Sequence, residues 1–199
     1  MRSRKTLAIG VAVLAGIGAA GCGDSSSGSG SASKPVNPNK AEVSPAGDIP
    51  DSQAFVAYSP PGGGYSVKVP EGWARKSSGA ATVFTDKLNS VTMQTQPAKA
   101  ALTPGEAKRT ELPRLSRSVK GFSNAEVSSV ARTAGPAVRI TYLASGAPDP
   151  VTGKSSTRAV ERYVFFHKGK DVVLTLEGAK GADNVDPWKI VTDSLRYTG

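Results

Sequence analysis

The sequence predicts an α+β domain, an antiparallel sheet of about six strands flanked by two helices. Three observations point there. Short alternating apolar and polar runs recur between turn residues, as in Tyr65-Ser66-Val67-Lys68-Val69-Pro70. Two strand-like runs face each other across Lys168-Gly169, a hairpin signal. Thr103-Pro104-Gly105-Glu106 combines a capping hydroxyl, a proline suited to the first helical position and a returning glutamate, which is how a helix begins. A chain of 199 residues with 38% hydrophobic content can bury one core of its own.

The elements follow in order. Pro60-Pro61-Gly62-Gly63-Gly64 is a turn that introduces the strand at Tyr65–Pro70, and Glu71-Gly72-Trp73 is the next turn. Thr82-Val83-Phe84-Thr85 and Ser90–Thr95 are two further strands, the second rich in β-branched residues. From Thr103 the helix carries Leu112, Leu115, Val119 and Phe122 at spacings of three, four and three, an amphipathic stripe, and Pro113 is expected to kink or split it. Ala125–Arg132 and Pro136–Leu143 are strands joined by Thr133-Ala134-Gly135, with Val138, Ile140 and Tyr142 on one face of the second. Ser145–Ser156 is expected to be a long polar loop. Ala159–His167 and Asp171–Leu176 form the hairpin, and Asp186-Pro187 is expected to cap a last helix presenting Trp188, Val191 and Leu195.

Ahead of this domain the composition changes. Arg2, Arg4 and Lys5 precede an uncharged apolar run, Leu7 to Ala20. Fourteen residues are fewer than the roughly 20 a membrane-spanning helix requires, so the run reads as the core of a secretory signal peptide, its basic end cytoplasmic. Ala19-Ala20-Gly21-Cys22 resembles a bacterial lipobox, with Ala19 where leucine is most frequent. The resemblance implies cleavage between Gly21 and Cys22 and a diacylglyceryl group on Cys22, the only cysteine of the chain. The expected organisation is therefore signal peptide over 1–21, lipidated Cys22 and a disordered Ser/Gly/Pro-rich tether over 22–50, and a globular domain over 51–199. A flexible tether of that length reaches about 30 Å root-mean-square.

The element Tyr65–Trp73, the mid-chain helix, the hairpin around Lys168-Gly169 and the terminal Asp186-Pro187-Trp188 helix ending in Ser194-Leu195 together resemble the Mog1/PsbP-like superfamily. They look most like its small actinobacterial lipoproteins, the LpqN-like group. The resemblance spans about residues 55–197 and implies an α/β/α sandwich. It also implies a non-enzymatic role as adaptor, assembly factor or binding module. Pro70, Gly72 and Trp73 match structural positions, and no catalytic motif carries over.

Composition restricts the chemistry. One Cys and one His exclude an intrachain disulfide and a His/Cys zinc cluster. His167 lies beside the hairpin turn, without a nucleophile elbow elsewhere, and is read as an exposed turn residue. Gly153-Lys154-Ser155 lacks the glycine five residues earlier that a phosphate-binding loop needs, since Pro148 stands there. Gly62-Gly63-Gly64 is turn glycine, Ser31-x-x-Lys34 lies in the tether, and Asp183 and Asp186 are read as helix-capping acids. No catalytic residue, metal site or cofactor is expected.

Charge is more informative. The chain is net +9, and residues 51–199 hold 20 Lys+Arg against 13 Asp+Glu. Arg109, Arg114, Arg117 and Lys120 cluster on the helical segment and form the candidate binding surface, while Trp73 and Trp188, both at element ends, are read first as core anchors and are the candidates for a pocket wall. An exported protein does not meet nucleic acid, and no recognition motif for it appears. The expected function is that of a lipid-anchored protein on the extracytoplasmic face of the cell membrane, non-enzymatic, binding a partner protein or assisting an envelope complex. Anionic envelope polymers are the other expected partners, and a pocket between sheet and helix for a lipid, glycan or small solute is the alternative.

Overall fold

The computed structural model describes residues 46–148 and 151–198. The signal peptide, Gly21, Cys22 and the tether up to residue 45 lie outside the described residues. Ten strands and two helices are assigned: β1 (Phe55–Tyr58), β2 (Tyr65–Pro70), β3 (Ala74–Ser78), β4 (Ala81–Asp86), β5 (Asn89–Pro97), α1 (Pro104–Ser118), β6 (Ser123–Arg132), β7 (Gly135–Pro148), β8 (Ser155–His167), β9 (Lys170–Ala179), α2 (Val185–Asp193) and β10 (Arg196–Tyr197). Seven form one antiparallel sheet in the order β3-β4-β5-β9-β8-β7-β6, and three form a second in the order β1-β2-β10. The fold is α+β, with antiparallel sheets and two helices.

Side-chain alternation makes the seven-stranded sheet the middle layer. On β8, Tyr163 and Phe165 point to one face and Val160 to the other. The first face packs against the small sheet and α2: Tyr65, Val67 and Val69 of β2 meet Val91 and Met93 of β5, Leu174 and Leu176 of β9, and Trp188, Val191 and Leu195. The second face is covered by α1, whose Ala107 and Leu115 pack with Val138, Ile140, Tyr142 and Val160. Each fully buried large side chain contributes about 1.5–3 kcal/mol by leaving water, so both clusters hold the layers together. Leu112, Val119 and Phe122, the rest of the stripe, border the second cluster.

Several expectations are met in detail. The capping box is formed: Thr103 Oγ1 accepts from the Glu106 backbone N–H, and Glu106 Oε2 accepts from the Thr103 N–H. Lys168 and Gly169 hold φ values of +46° and +77°, the pair of left-handed conformations that a two-residue type I′ turn needs.

Others are corrected. Pro113 does not split α1, which runs unbroken from Pro104 to Ser118. Pro113 is exposed, so its ring meets water rather than the sheet, while the cap and the buried leucines hold the turns on either side. The long polar loop expected at 145–156 is shorter than that, because β7 and β8 continue to pair as far as Pro148 and Ser155. The last helix is N-capped by Asn184 rather than Asp186, and its side chain makes no capping bond. It is spent on tertiary contacts, donating to Gly47 O and Asn89 Oδ1 and accepting from the Ile49 N–H. Those bonds draw residues 46–50 out of the expected tether: Ile49 is 5% exposed and belongs to the core.

Candidate functional site

The four basic residues singled out on the helical segment do not share one environment: Arg109, Arg114 and Arg117 lie on α1, and Lys120 follows it. All are exposed. Arg114 forms a hydrogen-bonded ion pair with Glu111 one turn earlier. Glu111 also faces Arg162 of β8, at 3.7 Å. Arg114 is thus neutralised by the carboxylate that α1 lends to the sheet. Arg109, Arg117 and Lys120 enter none of the ion pairs found among the described residues. Arg109 and Arg117, eight residues apart, lie along one side of the helix, and Arg117 in the last turn also complements the negative end of the helix dipole, whereas Lys120 lies past the helix, in the turn after the extended C-cap Val119.

Beneath α1 the sheet carries charges that sequence reading missed. Arg158 and Arg162 are each only 7% exposed, on the same face of β8 as Val160. Arg158 Nε lies 2.8 Å from Glu177 Oε1. Arg162 Nη1 donates to Thr175 Oγ1 at 3.2 Å, while its Nε and Nη2 lack hydrogen-bond partners. Burial pulls the Arg162 guanidinium below its ordinary range, opposed by the charge of Glu111. Asp171, also buried, accepts from Gln96 with one oxygen and has no partner on the other; burial raises its carboxyl above the usual range. The one signal in the sequence is charge at the inward register of an otherwise apolar strand, Arg158-x-Val160-x-Arg162-x-Val164.

A second polar chain ties α2 to the sheet. Arg132 Nε donates to Thr192 Oγ1 at 2.9 Å, its Nη2 donates to the Tyr163 hydroxyl at 3.1 Å, and its guanidinium stacks over the Tyr163 ring. Tyr163 in turn donates to Glu161, which lies 3.6 Å from Arg139. Burial, and then Glu161, raise the Tyr163 phenol. These ionisable groups work as ties between layers.

The two tryptophans are packing residues. Trp188 is buried in the core cluster, and Trp73 is half-buried against it. Neither lines the largest cleft described, a groove of about 480 Å³ between β2 and α2. Ser66, Lys68, Ile190, Ser194 and Arg196 lie along that groove, bridged by a hydrogen bond from the Lys68 N–H to Ser194 Oγ. His167 is not an exposed turn residue. It is half-buried, its ring stacked on Tyr197 with centroids 3.8 Å apart. Asp183 contributes a backbone N–H to Asp48 rather than a side-chain cap.

No protein-family model matches the sequence, and no curated relative does. Solved structures are similar in chain course. The Saccharomyces cerevisiae Ran-binding protein Mog1p aligns at 12% identity over 74% of this chain and 97% of its own, with a TM-score of 0.49. Cyanobacterial PsbP from Synechocystis aligns at 18% identity over 78% of this chain and 98% of its own, also at 0.49. LpqN of Mycobacterium tuberculosis, described as involved in cell envelope biogenesis, aligns at 18% identity over 75% of this chain and 87% of its own, with a TM-score of 0.38. The likeness is one of chain course, and no partner or activity passes from those proteins to this one.

Proposed function

We propose that the protein is a lipid-anchored envelope protein whose folded domain is a non-enzymatic binding module, taking a partner protein on the basic side of α1. One observation carries this reading. The buried Arg158 and Arg162 face carboxylates of the domain itself, whereas Arg109, Arg117 and Lys120 stay exposed and outside every ion pair among the described residues. Such a surface is complementary to an acidic partner, and opposite charges across an interface set orientation and on-rate.

The N-terminal sequence supports the location. A basic start, a 14-residue apolar run and Ala20-Gly21-Cys22 favour cleavage before Cys22 and a diacylglyceryl anchor there, on the extracytoplasmic face. Two acyl chains hold a protein firmly, at about 0.8 kcal/mol per buried CH₂. An anionic polymer or headgroup is the other partner this surface would accept, at about 1 kcal/mol per basic residue near a membrane.

Crosslinking in intact cells, followed by pull-down and mass spectrometry, tests the reading. Wild type should capture one dominant protein, and Arg109→Glu/Arg117→Glu/Lys120→Glu should lose it at unchanged melting temperature. Equal capture by both forms would remove α1 from the interface. Cys22→Ser should leave the membrane fraction; retention there would refute the anchor. A second reading has its own observation, the groove between β2 and α2 with half-exposed Ile190 on its rim. Stoichiometric recovery of a small molecule without a protein partner would favour that groove.

A further inference from the structure

The seven-stranded sheet ends on β6, which pairs with β7 along one side and with no strand among the described residues along the other. Past a register shift between Ser123 and Glu126, its ladder runs without a break from Glu126 to Arg132. A free strand edge is a row of unpaired backbone donors and acceptors, and proteins blunt it by shortness, charge or a bulge. The other free edges here are blunted. β3 is exposed throughout and carries Arg75 and Lys76, β1 has four residues, and β10 has two. β6 has ten residues and its bulge lies at one end. Its stretch Val127-Ser128-Ser129-Val130-Ala131 holds neither charge nor proline. The segment is also fixed from both faces: Val130 packs against the cluster under β2 and α2, and Val127 against the cluster under α1. A strand held in this way is a preformed template, so little order has to be gained on pairing.

The charges at its ends say what would pair with it. Glu126 and Arg132 flank Ser129 symmetrically in the sequence. Two copies of one strand that pair antiparallel about a two-fold axis keep each side chain on its own face of the joined sheet. Opposed residues must then come from the same face, so the axis falls on a residue and not between two. With the axis at Ser129, Glu126 faces Arg132 of the second copy, Val127 faces its Ala131, and Ser128 faces its Val130. Both opposite-charge pairs form at once. An axis at Ser128 would set Glu126 against Val130 and Arg132 against Asn124, and both pairs would be lost. Glu126 is exposed and enters no ion pair among the described residues. Arg132 turns Nε and Nη2 inward, to Thr192 and Tyr163, with Nε also 3.7 Å from Asp193. Its Nη1 stays on the exposed side, donating to the Ala131 carbonyl.

We propose that the protein self-associates through β6: two copies join edge to edge, antiparallel about a two-fold axis at Ser129, into one continuous sheet. Such a joint keeps the faces of the sheet, so both α1 helices lie on the same side of it. The inference rests neither on the lipid anchor nor on the partner surface of α1. One strand edge is a small interface beside those of stable complexes, so the copies exchange and covalent capture is the suitable readout.

The test uses the full chain in detergent with Cys22→Ser, which leaves no thiol, and one new cysteine at a time. Under mild oxidation Ser129→Cys should form a disulfide-linked dimer at least tenfold faster than Ser128→Cys, because only residue 129 meets itself across the axis. Ser128→Cys mixed with Val130→Cys should give the mixed dimer, which fixes the register. Glu126→Lys added to Ser129→Cys should slow its crosslinking at least tenfold at unchanged circular dichroism, since like charges then oppose each other twice. Equal rates for Ser129→Cys and Ser128→Cys would mean chance collision and overturn the proposal. A faster dimer from Ser128→Cys, absence of the mixed dimer, or crosslinking indifferent to Glu126→Lys would each overturn it as well.

Discussion

Asn184 Nδ2 donates to Asn89 Oδ1 at 3.1 Å inside the core, where the start of α2 meets the β4–β5 turn. The same amide donates to Gly47 O at 3.0 Å, and its carbonyl accepts from the Ile49 N–H at 2.8 Å. One side chain therefore closes three segments far apart in sequence, and Gly178 leaves room for it. A Cβ at Gly178 would lie 2.7 Å from Asn184 Nδ2 and 3.1 Å from Trp188 Cζ2. Asn184→Ala strands a buried N–H and two acceptors and should destabilise by about 3 kcal/mol. Gly178→Ala should destabilise by about 1–3 kcal/mol through overpacking. Urea midpoints check both, and wild-type stability in Asn184→Ala would show the triad to be energetically idle.

Glu111 is the carboxylate that Arg162 faces from under α1. Removing one member of a buried pair leaves the other charge uncompensated, at about 3–5 kcal/mol, whereas replacing both by apolar groups is near neutral. Glu111→Ala should therefore be severely destabilised, and Glu111→Leu/Arg162→Met should recover most of the loss. A Glu111→Ala variant as stable as wild type would show that Arg162 does not depend on the carboxylate, and a double variant as unstable as the single one would show that the loss is not that of an uncompensated charge.

Pro113 removes the N–H that would bond the Arg109 carbonyl. The ring is exposed, so alanine leaves no cavity. Pro113→Ala should stabilise by about 1–2 kcal/mol, raising the melting temperature by roughly 2–8 °C for a domain of this size. A lowered melting temperature would show that proline limits the unfolded chain more than it disturbs the helix.

Two carboxylates give stability opposite dependences on pH. The Asp193 carboxyl is held below its ordinary range by its hydrogen bond from Lys189. Its contribution is present above the unfolded value of 3.8 and is lost as pH falls through the lowered folded value. Asp171 is raised by burial, so its penalty is present at neutral pH and disappears as pH falls through the carboxylate range. At pH 7, Asp171→Asn should be more stable than wild type by about 1 kcal/mol, since it keeps an acceptor for Gln96 without a buried charge. Lys189→Ala should be slightly less stable, by under about 1 kcal/mol for an exposed pair. Both differences should shrink toward pH 3 in urea titrations; a difference independent of pH would contradict the assignment.

The fold was legible where local chemistry and tertiary packing agree. Tyr65–Pro70, the capping box at Thr103 and the Lys168-Gly169 turn each state their structure within a few residues. β3 was not legible: Ala-Arg-Lys-Ser-Ser is exposed throughout and becomes a strand through its ladder with β4. The same holds for the ends of β7 and β8, polar residues that pair because the preceding hairpin is already aligned. At the candidate sites, the exposed Arg109 and Arg117 of α1 could be found from helical spacing, whereas Lys120 falls past the helix end, where that spacing no longer applies. The loss of Arg114 to Glu111 could not, because Glu111 is fixed from the other side by Arg162, about 50 residues away in the chain.

By itself the sequence determined the α+β class, both helices, the principal hairpin and the basic stripe, all of which rest on residues within a few positions of one another. Only the tertiary structure decided that residues 46–50 belong to the domain and that His167 is half-buried and stacked on Tyr197. Each of these depends on a partner more than 25 residues away, and periodicity along one segment says nothing of which distant segment will cover it.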